Sequence, residues 1–185
     1  LVRKAGGLLS LKFIEQFLNA YLRSKDFESL KIPLYITATN FIDGTQQVFN
    51  SGELIPVILA ASSIPVIFPP VFLKDIPYVD GGLSNNLPVE PLLGRYKNII
   101  GVHVNPLADY NHKNGILSNL ARTLHFSVRG GIQNNIRYCS IFIEPLELKQ
   151  YSVFDVQKFD PIYQIGLQYT RHYLAEHPIR QGNEE

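Results

Sequence analysis

The sequence predicts an α/β domain. Three observations carry that reading. The run "NIIGVHVNP" has the near-continuous apolarity of a strand covered on both faces, as parallel strands of α/β proteins are. Apolar residues recur at helical spacing before and after it, and the elements follow in the order helix, strand, strand, helix, strand, helix, strand, helix. The chain of 185 residues is 45% hydrophobic and 18% charged, enough apolar material for the core of one ordinary globular domain. No repeat, low-complexity tract or linker divides it.

Each element has a local justification. "LLSLKFIEQFLNAYLRS" sets Phe13, Ile14, Phe17, Leu18, Tyr21 and Leu22 on one stripe, with Lys12, Glu15, Gln16 and Asn19 away from it, so a packed amphipathic helix is expected. "IPLYITATN", Ile32 to Asn40, is β-rich and bounded by Pro33 and the turn "DGT", and "QQVF" follows as a second short strand. "LIPVILAASS" reads as a brief buried helix ended by Pro65 and the Pro69–Pro70 pair. "IPYV" is a short strand running into a loop at Asp80. Beyond "NIIGVHVNP", Ile116, Leu120, Leu124 and Val128 repeat at helical spacing, and "YCSIFIEP" returns to strand. In "DPIYQIGLQYTRHYLAEH", Asp160 is the expected N-cap and Pro161 the first helical residue, with Ile162, Ile165, Tyr169 and Tyr173 facing inward.

Charge and composition exclude several functions. With 17 basic and 16 acidic residues the formal net charge is +1, and no block of like charges offers a footprint for nucleic acid or an anionic surface. The single Cys139 cannot form an internal disulfide and reads as a buried strand thiol. "LIPVILAASSIPVIFPPVF" is interrupted by four prolines, so no transmembrane helix is expected. The chain has no methionine and opens on "LVRKAGG", which reads as part of a longer protein.

The stretch "YVDGGLSNNLPV" raises the chemical question. Asp80 lies where a strand meets a loop, the end at which α/β proteins build sites. Gly81 and Gly82 can turn through conformations closed to other residues, and they leave space beside the carboxylate. On these local residues alone, Asp80 reads as a turn aspartate capping its own loop. A catalytic role needs a second group from elsewhere.

The ordered set from Ile32 to Asn105 changes the balance: a strand ending in "TATN", the segment "ASSIPVIFPP", then "DGG", then "NNLPV". This set resembles the patatin-like phospholipase family, in particular the C-terminal part of its domain. The resemblance implies a three-layer α/β/α sandwich, here incomplete at the N-terminus, with residues 1–178 forming the C-terminal part of one domain and 179–185 a flexible tail. It also implies a lipid acyl ester hydrolase of the phospholipase A or lysophospholipase kind, using a Ser–Asp dyad without metal or organic cofactor. Residue for residue, Asp80 matches the dyad aspartate, with Gly81 and Gly82 structural beside it. A serine hydroxyl is a poor nucleophile until a base takes its proton, and a carboxylate within hydrogen-bond reach can do so directly.

The family's G-x-S-x-G nucleophile elbow and glycine-rich oxyanion loop are absent from these 185 residues. The nearest imitation, "GLSNN", lacks the final glycine and follows Asp80 at once, so Ser84 is set aside as nucleophile. Ser62 and Ser63 read as packing or capping residues, and the glycines of "KAGGLLS" as a loop exit. The nucleophile is expected upstream of Leu1, and the chain alone is expected to be inactive.

Other features have plainer readings. His103 could complete a Ser–Asp–His triad, but a packed strand histidine is the simpler account. His112, His125, His172 and His177 lack ligand spacing, so no metal site is expected. "VRGGIQNN" lacks the Lys-Ser/Thr step of a phosphate loop, and Gly130 and Gly131 read as a helix break. Arg122, Arg129 and Arg137 read as solvated helix charge rather than a lipid phosphate site.

The expected partner is a lipid ester at a membrane or micelle surface, with no nucleic acid and no integral membrane segment. Localisation is left open by the sequence, the default being a cytoplasmic site, with or without transient contact to a membrane surface. Two alternatives stay open: a non-catalytic lipid-binding or scaffold member of the same fold, and a generic α/β ligand-binding domain.

Overall fold

Eight residues, "LIPVILAA", organise the first half of the chain. They are apolar throughout, and a helix that is apolar all round is stable only when surrounded. The computed structural model describes residues 7, 9–107, 122–123, 126, 131–151 and 155–178. In it, these eight residues form helix α2 (Leu54–Ala61), with Leu54, Ile55, Val57, Leu59 and Ala60 buried. Pro56 falls in the first turn, where its missing N–H has no intrahelical partner to lose.

Around α2 lie helix α1 (Lys12–Tyr21) and strands β1 (Ile36–Asn40), β2 (Gln46–Phe49), β3 (Val71–Leu73) and β4 (Ile76–Asp80). The strands form one antiparallel sheet in the order β2-β1-β4-β3. Ala38 of β1 meets Ala60 of α2, and Tyr78 joins them, so two small residues let the helix lie close on the sheet. Phe49 packs edge to face on Tyr78, with ring centroids 5.3 Å apart. On the other side of α2, Ile55 and Leu59 pack with Leu11, and Ile14, Leu18 and Leu22 of the α1 region close over them.

The chain divides into two compact units, Leu1–Pro91 with Ser127–Ile132, and Leu92–Phe126 with Gln133–Glu185. In the second, β5 (Ile100–Val102) pairs in parallel with β6 (Ile141–Ile143). Residues 131–136 form helix α3 and Phe159–Glu176 form α4. The mixture of sheet and helix is α/β.

Several expectations need correction. Only half of the α1 stripe packs: Phe13, Phe17 and Tyr21 are 77%, 52% and 73% exposed. They are spaced four apart, so they form their own strip beside the buried one. Strand β5 is not covered on both faces, for Ile100 and Val102 are 45% and 56% exposed. At α4 the N-cap is Lys158 rather than Asp160, which instead sits in the first turn, where a negative charge favours the helix dipole. Gly131 is the first described residue of α3, and the rest of the helix break expected at Gly130 and Gly131 falls outside the described residues. Strand β3, which sequence patterning missed, forms a hairpin with β4. Of the helix expected around Ile116, Leu120, Leu124 and Val128, residues 122, 123 and 126 are helical, while those four lie outside the described residues, as do Gly130 and the 179–185 tail.

Candidate functional site at the end of strand β4

Asp80 is the last residue of β4, an inner strand held by neighbours on both sides. Its backbone is fixed at three points. It pairs across the sheet with Ala38; its N–H donates to the Ser63 carbonyl at 3.0 Å; and its carbonyl accepts the Thr39 hydroxyl at 2.8 Å. The chain then turns at once into a single 3-10 turn, Gly81–Leu83. Within it, the Gly82 N–H donates to Asp80 Oδ1 at 2.8 Å.

Two opposing influences act on the carboxyl. Burial pushes its pKa above the ordinary carboxylate value, and the Gly82 N–H pulls less strongly the other way. Desolvation makes the ionised form a stronger base than a surface aspartate. A carboxylate so placed can accept a proton from a neighbouring hydroxyl.

Space, not backbone conformation, requires the two glycines. Neither has positive φ, unlike Gly44, Gly52 and Gly94. A Cβ on Gly81 would run into the Thr37 carbonyl, coming within 2.7 Å of its carbon and 2.8 Å of Thr37 Oγ1. One on Gly82 would lie 2.9 Å from Asn86 Oδ1 and 3.0 Å from Asp80 Oδ1 itself. The expectation of room beside the carboxylate is met at Gly82, whereas Gly81 makes room for Thr37 of β1, and neither glycine supplies an unusual turn.

The serines take structural positions. The Ser84 hydroxyl lies 2.9 Å from Thr39 Oγ1 and 3.2 Å from the Gly81 carbonyl. Ser63 is fully buried, with its hydroxyl donating to the Pro69 carbonyl, which is a packing role. Gly7 lies against the Phe68–Pro69 backbone, and Gly6 is outside the described residues.

Two residues that sequence reasoning did not single out help shape this loop. Buried Asn85 donates through Nδ2 to Gln46 Oε1 at 3.1 Å and to the Glu90 carboxylate at 2.9 and 3.0 Å, while its Oδ1 accepts the Leu87 N–H. It ties the "NNLPVE" segment back to β2. Thr39 is the other, buried at 5% exposure beneath Asp80. Both lie in the motifs "TATN" and "NNLPV", whose spacing marked them without revealing what they touch.

In the second unit, His103 is buried, and its Nδ1 lies 2.8 Å from Glu144 Oε1. These two residues follow β5 and β6 directly, so parallel register sets them side by side, with the His103 N–H on the Ile143 carbonyl at 2.9 Å. The packed reading of His103 thus has a specific carboxylate partner. His172 pairs with Glu176 on the surface of α4, and His177 stacks on Tyr173. No group of three or more His, Cys, Asp and Glu able to hold a metal occurs among the described residues. Arg122 and Arg137 lie over the rings of Phe126 and Tyr138. His112, His125 and Arg129 are outside the described residues. No described helix is long and apolar enough to cross a membrane.

Comparison with known proteins agrees with the motif set. Similar curated proteins include lysophospholipase NTE1 of Kluyveromyces lactis, 26% identical over 189 residues that cover 88% of this chain and 13% of that protein. Lysophospholipase NTE1 of Candida albicans is 27% identical over 177 residues, covering 82% and 13%. That of Saccharomyces cerevisiae is 25% identical over 174 residues, covering 80% and 10%. The chain therefore spans only about an eighth of the length of such relatives. A family model described as patatin-like phospholipase matches residues 1–93, half of the chain. The chain belongs to the patatin-like phospholipase family.

Proposed function

We propose that this chain is the C-terminal part of a patatin-like domain of the three-layer α/β/α kind, in a protein that hydrolyses lipid acyl esters, and that Asp80 is the base of its Ser–Asp dyad. The observation that carries the reading is the Asp80 carboxyl itself. It is anchored at a strand end, partly desolvated, and kept clear by Gly82, while Gly81 lets the chain pass close to Thr37. Alignments to the relatives run through both compact units, which supports treating them as parts of one domain.

Asp80 takes the hydroxyl proton of a serine outside these 185 residues as the serine oxygen bonds to the ester carbonyl carbon. It passes that proton to the leaving alcohol as the carbon–oxygen bond breaks. Water then attacks the acyl-enzyme, giving one proton to Asp80, which returns it to the serine as the fatty acid leaves. No cofactor is required for this sequence of steps. The names of the relatives point to a lysophospholipid, presented at a membrane or micelle surface, as the substrate to try first.

In the intact protein, Asp80→Asn should keep the fold and lower hydrolysis of 4-nitrophenyl butyrate by roughly 10²-fold or more, the usual contribution of a positioned base. A rate within a few-fold of wild type removes Asp80 from the dyad. A fluorophosphonate should label the intact protein and leave the 185-residue chain unlabelled; labelling of this chain would reveal a nucleophile within it.

A further inference from the structure

The hydroxyls under Asp80 are arranged in a way that base chemistry alone does not require. Thr39 sits on β1, forty-one residues from Asp80 in sequence, with its side chain buried between β1 and the loop that follows β4. Its oxygen has two partners: the Asp80 carbonyl at 2.8 Å and Ser84 Oγ at 2.9 Å. Proton counting assigns the directions. A carbonyl can only accept, so the single Thr39 proton goes to Asp80. Ser84 Oγ is then placed to supply the proton between the two hydroxyls, with the Gly81 carbonyl at 3.2 Å as its other acceptor. The chain of donation runs from Ser84 to Thr39 to the backbone of Asp80.

We infer that Thr39 is a positioning residue for Asp80, with Ser84 as the donor that completes it. The inference rests on the dyad reading of Asp80 given above. The direction of an aspartate side chain at a strand end is set by its own main chain, and here that main chain leaves the sheet at the next residue. Asp80 is held by its pairing with Ala38 and by its N–H on the Ser63 carbonyl, but the carbonyl side, which leads into Gly81 and Gly82, is held by the Thr39 hydroxyl. Rotation of the 80–81 peptide would carry the Gly82 N–H off Asp80 Oδ1 and swing the carboxylate with it. Serial hydroxyl donation strengthens each bond in the chain. Ser84, set aside as a nucleophile, acquires a role through Thr39.

The test is made in the intact protein with 4-nitrophenyl butyrate. Thr39→Val keeps the size, the β-branching and the strand preference while removing the donor. It should lower kcat by roughly tenfold or more, since misplacement of a catalytic group by ~1 Å can cost up to about 10²-fold. KM should stay within about a factor of two, because nothing in the proposal touches substrate binding. Thr39→Ser, which restores the hydroxyl, should recover most of the loss. Ser84→Ala should lower kcat in the same direction, and the Thr39→Val/Ser84→Ala pair should be no worse than Thr39→Val alone, since both act through one chain.

A Thr39→Val protein with wild-type kcat, or a Thr39→Ser protein as slow as Thr39→Val, overturns the inference. If Thr39→Val does not fold, Ser84→Ala decides, and an unchanged kcat there overturns it equally. Asp80→Asn is measured alongside. If it leaves the rate intact, the dyad reading fails; if it abolishes the rate while Thr39→Val does not alter it, only the positioning role fails.

Discussion

A carboxyl taken out of water resists ionisation, and at Asp80 that resistance has a thermodynamic consequence. Burial raises its folded-state pKa above the ordinary 3.8. A group raised in this way contributes fully to stability below its unfolded pKa, and the contribution is lost as pH rises through the folded value. At neutral pH the ionised Asp80 therefore works against the fold. We expect Asp80→Asn, which can still accept the Gly82 N–H, to raise the thermal midpoint of the chain at pH 7. The gain should shrink as pH falls below the raised folded pKa and be gone below about 3.8. Equal midpoints at pH 7 would mean that the carboxyl is better solvated than its burial implies. At the neighbouring position the constraint is steric. A methyl on Gly81 meets main chain of β1 rather than a flexible side chain, so Gly81→Ala should cost at least 1–3 kcal/mol by denaturant titration, on the order of other overpacking substitutions.

At the scale of elements, the β3–β4 hairpin shows how turn chemistry can hide a strand. Leu73 pairs with Ile76, leaving Lys74 and Asp75 as a two-residue turn, with φ of 49° and 67°. Two successive left-handed residues give the turn that matches the twist of a hairpin, and Asn-Gly is its usual sequence signal. "LKDI" carries no such signal, so β3 was not legible. Replacing Asp75 by Gly removes a left-handed non-glycine residue and should stabilise the chain by about 1 kcal/mol, seen as a higher denaturant midpoint with unchanged slope. Helix α2 and strands β1, β2, β4 and β6 were legible because their apolar runs end at Pro, Gly or Asp. The cap of α4 was misread because Asp160-Pro161 is as compatible with the first turn as with the cap.

Among the described residues, each compact unit leaves an apolar strip open. Phe13, Phe17 and Tyr21 line α1, and Ile100, Val102 and Val104 line β5 and the residue pair beyond it. Exposed apolar strips of this kind promote association. The 185-residue chain should bind a hydrophobic dye such as ANS and self-associate as its concentration rises. Changing Phe13, Phe17 and Tyr21 together to Ser should reduce both effects with little loss of stability, because none of the three belongs to the buried clusters. Unchanged dye binding would show that α1 is covered in solution.

The sequence by itself determined the α/β class, most of the short elements, and the family, through the order of "TATN", "ASSIPVIFPP", "DGG" and "NNLPV". Those are features of local spacing, and each is complete within a few residues of chain. Only the tertiary structure decided which face of α1 is buried, that Gly81 and Gly82 answer to space rather than to turn geometry, and that Thr39 and Ser84 lie beneath Asp80. These depend on pairings between residues 41 and 45 positions apart, which antiparallel register brings together and no local pattern encodes. "YVDGGLSNNLPV" marks Asp80 as the proposed base; the strand beside it holds the main chain from which that carboxyl projects.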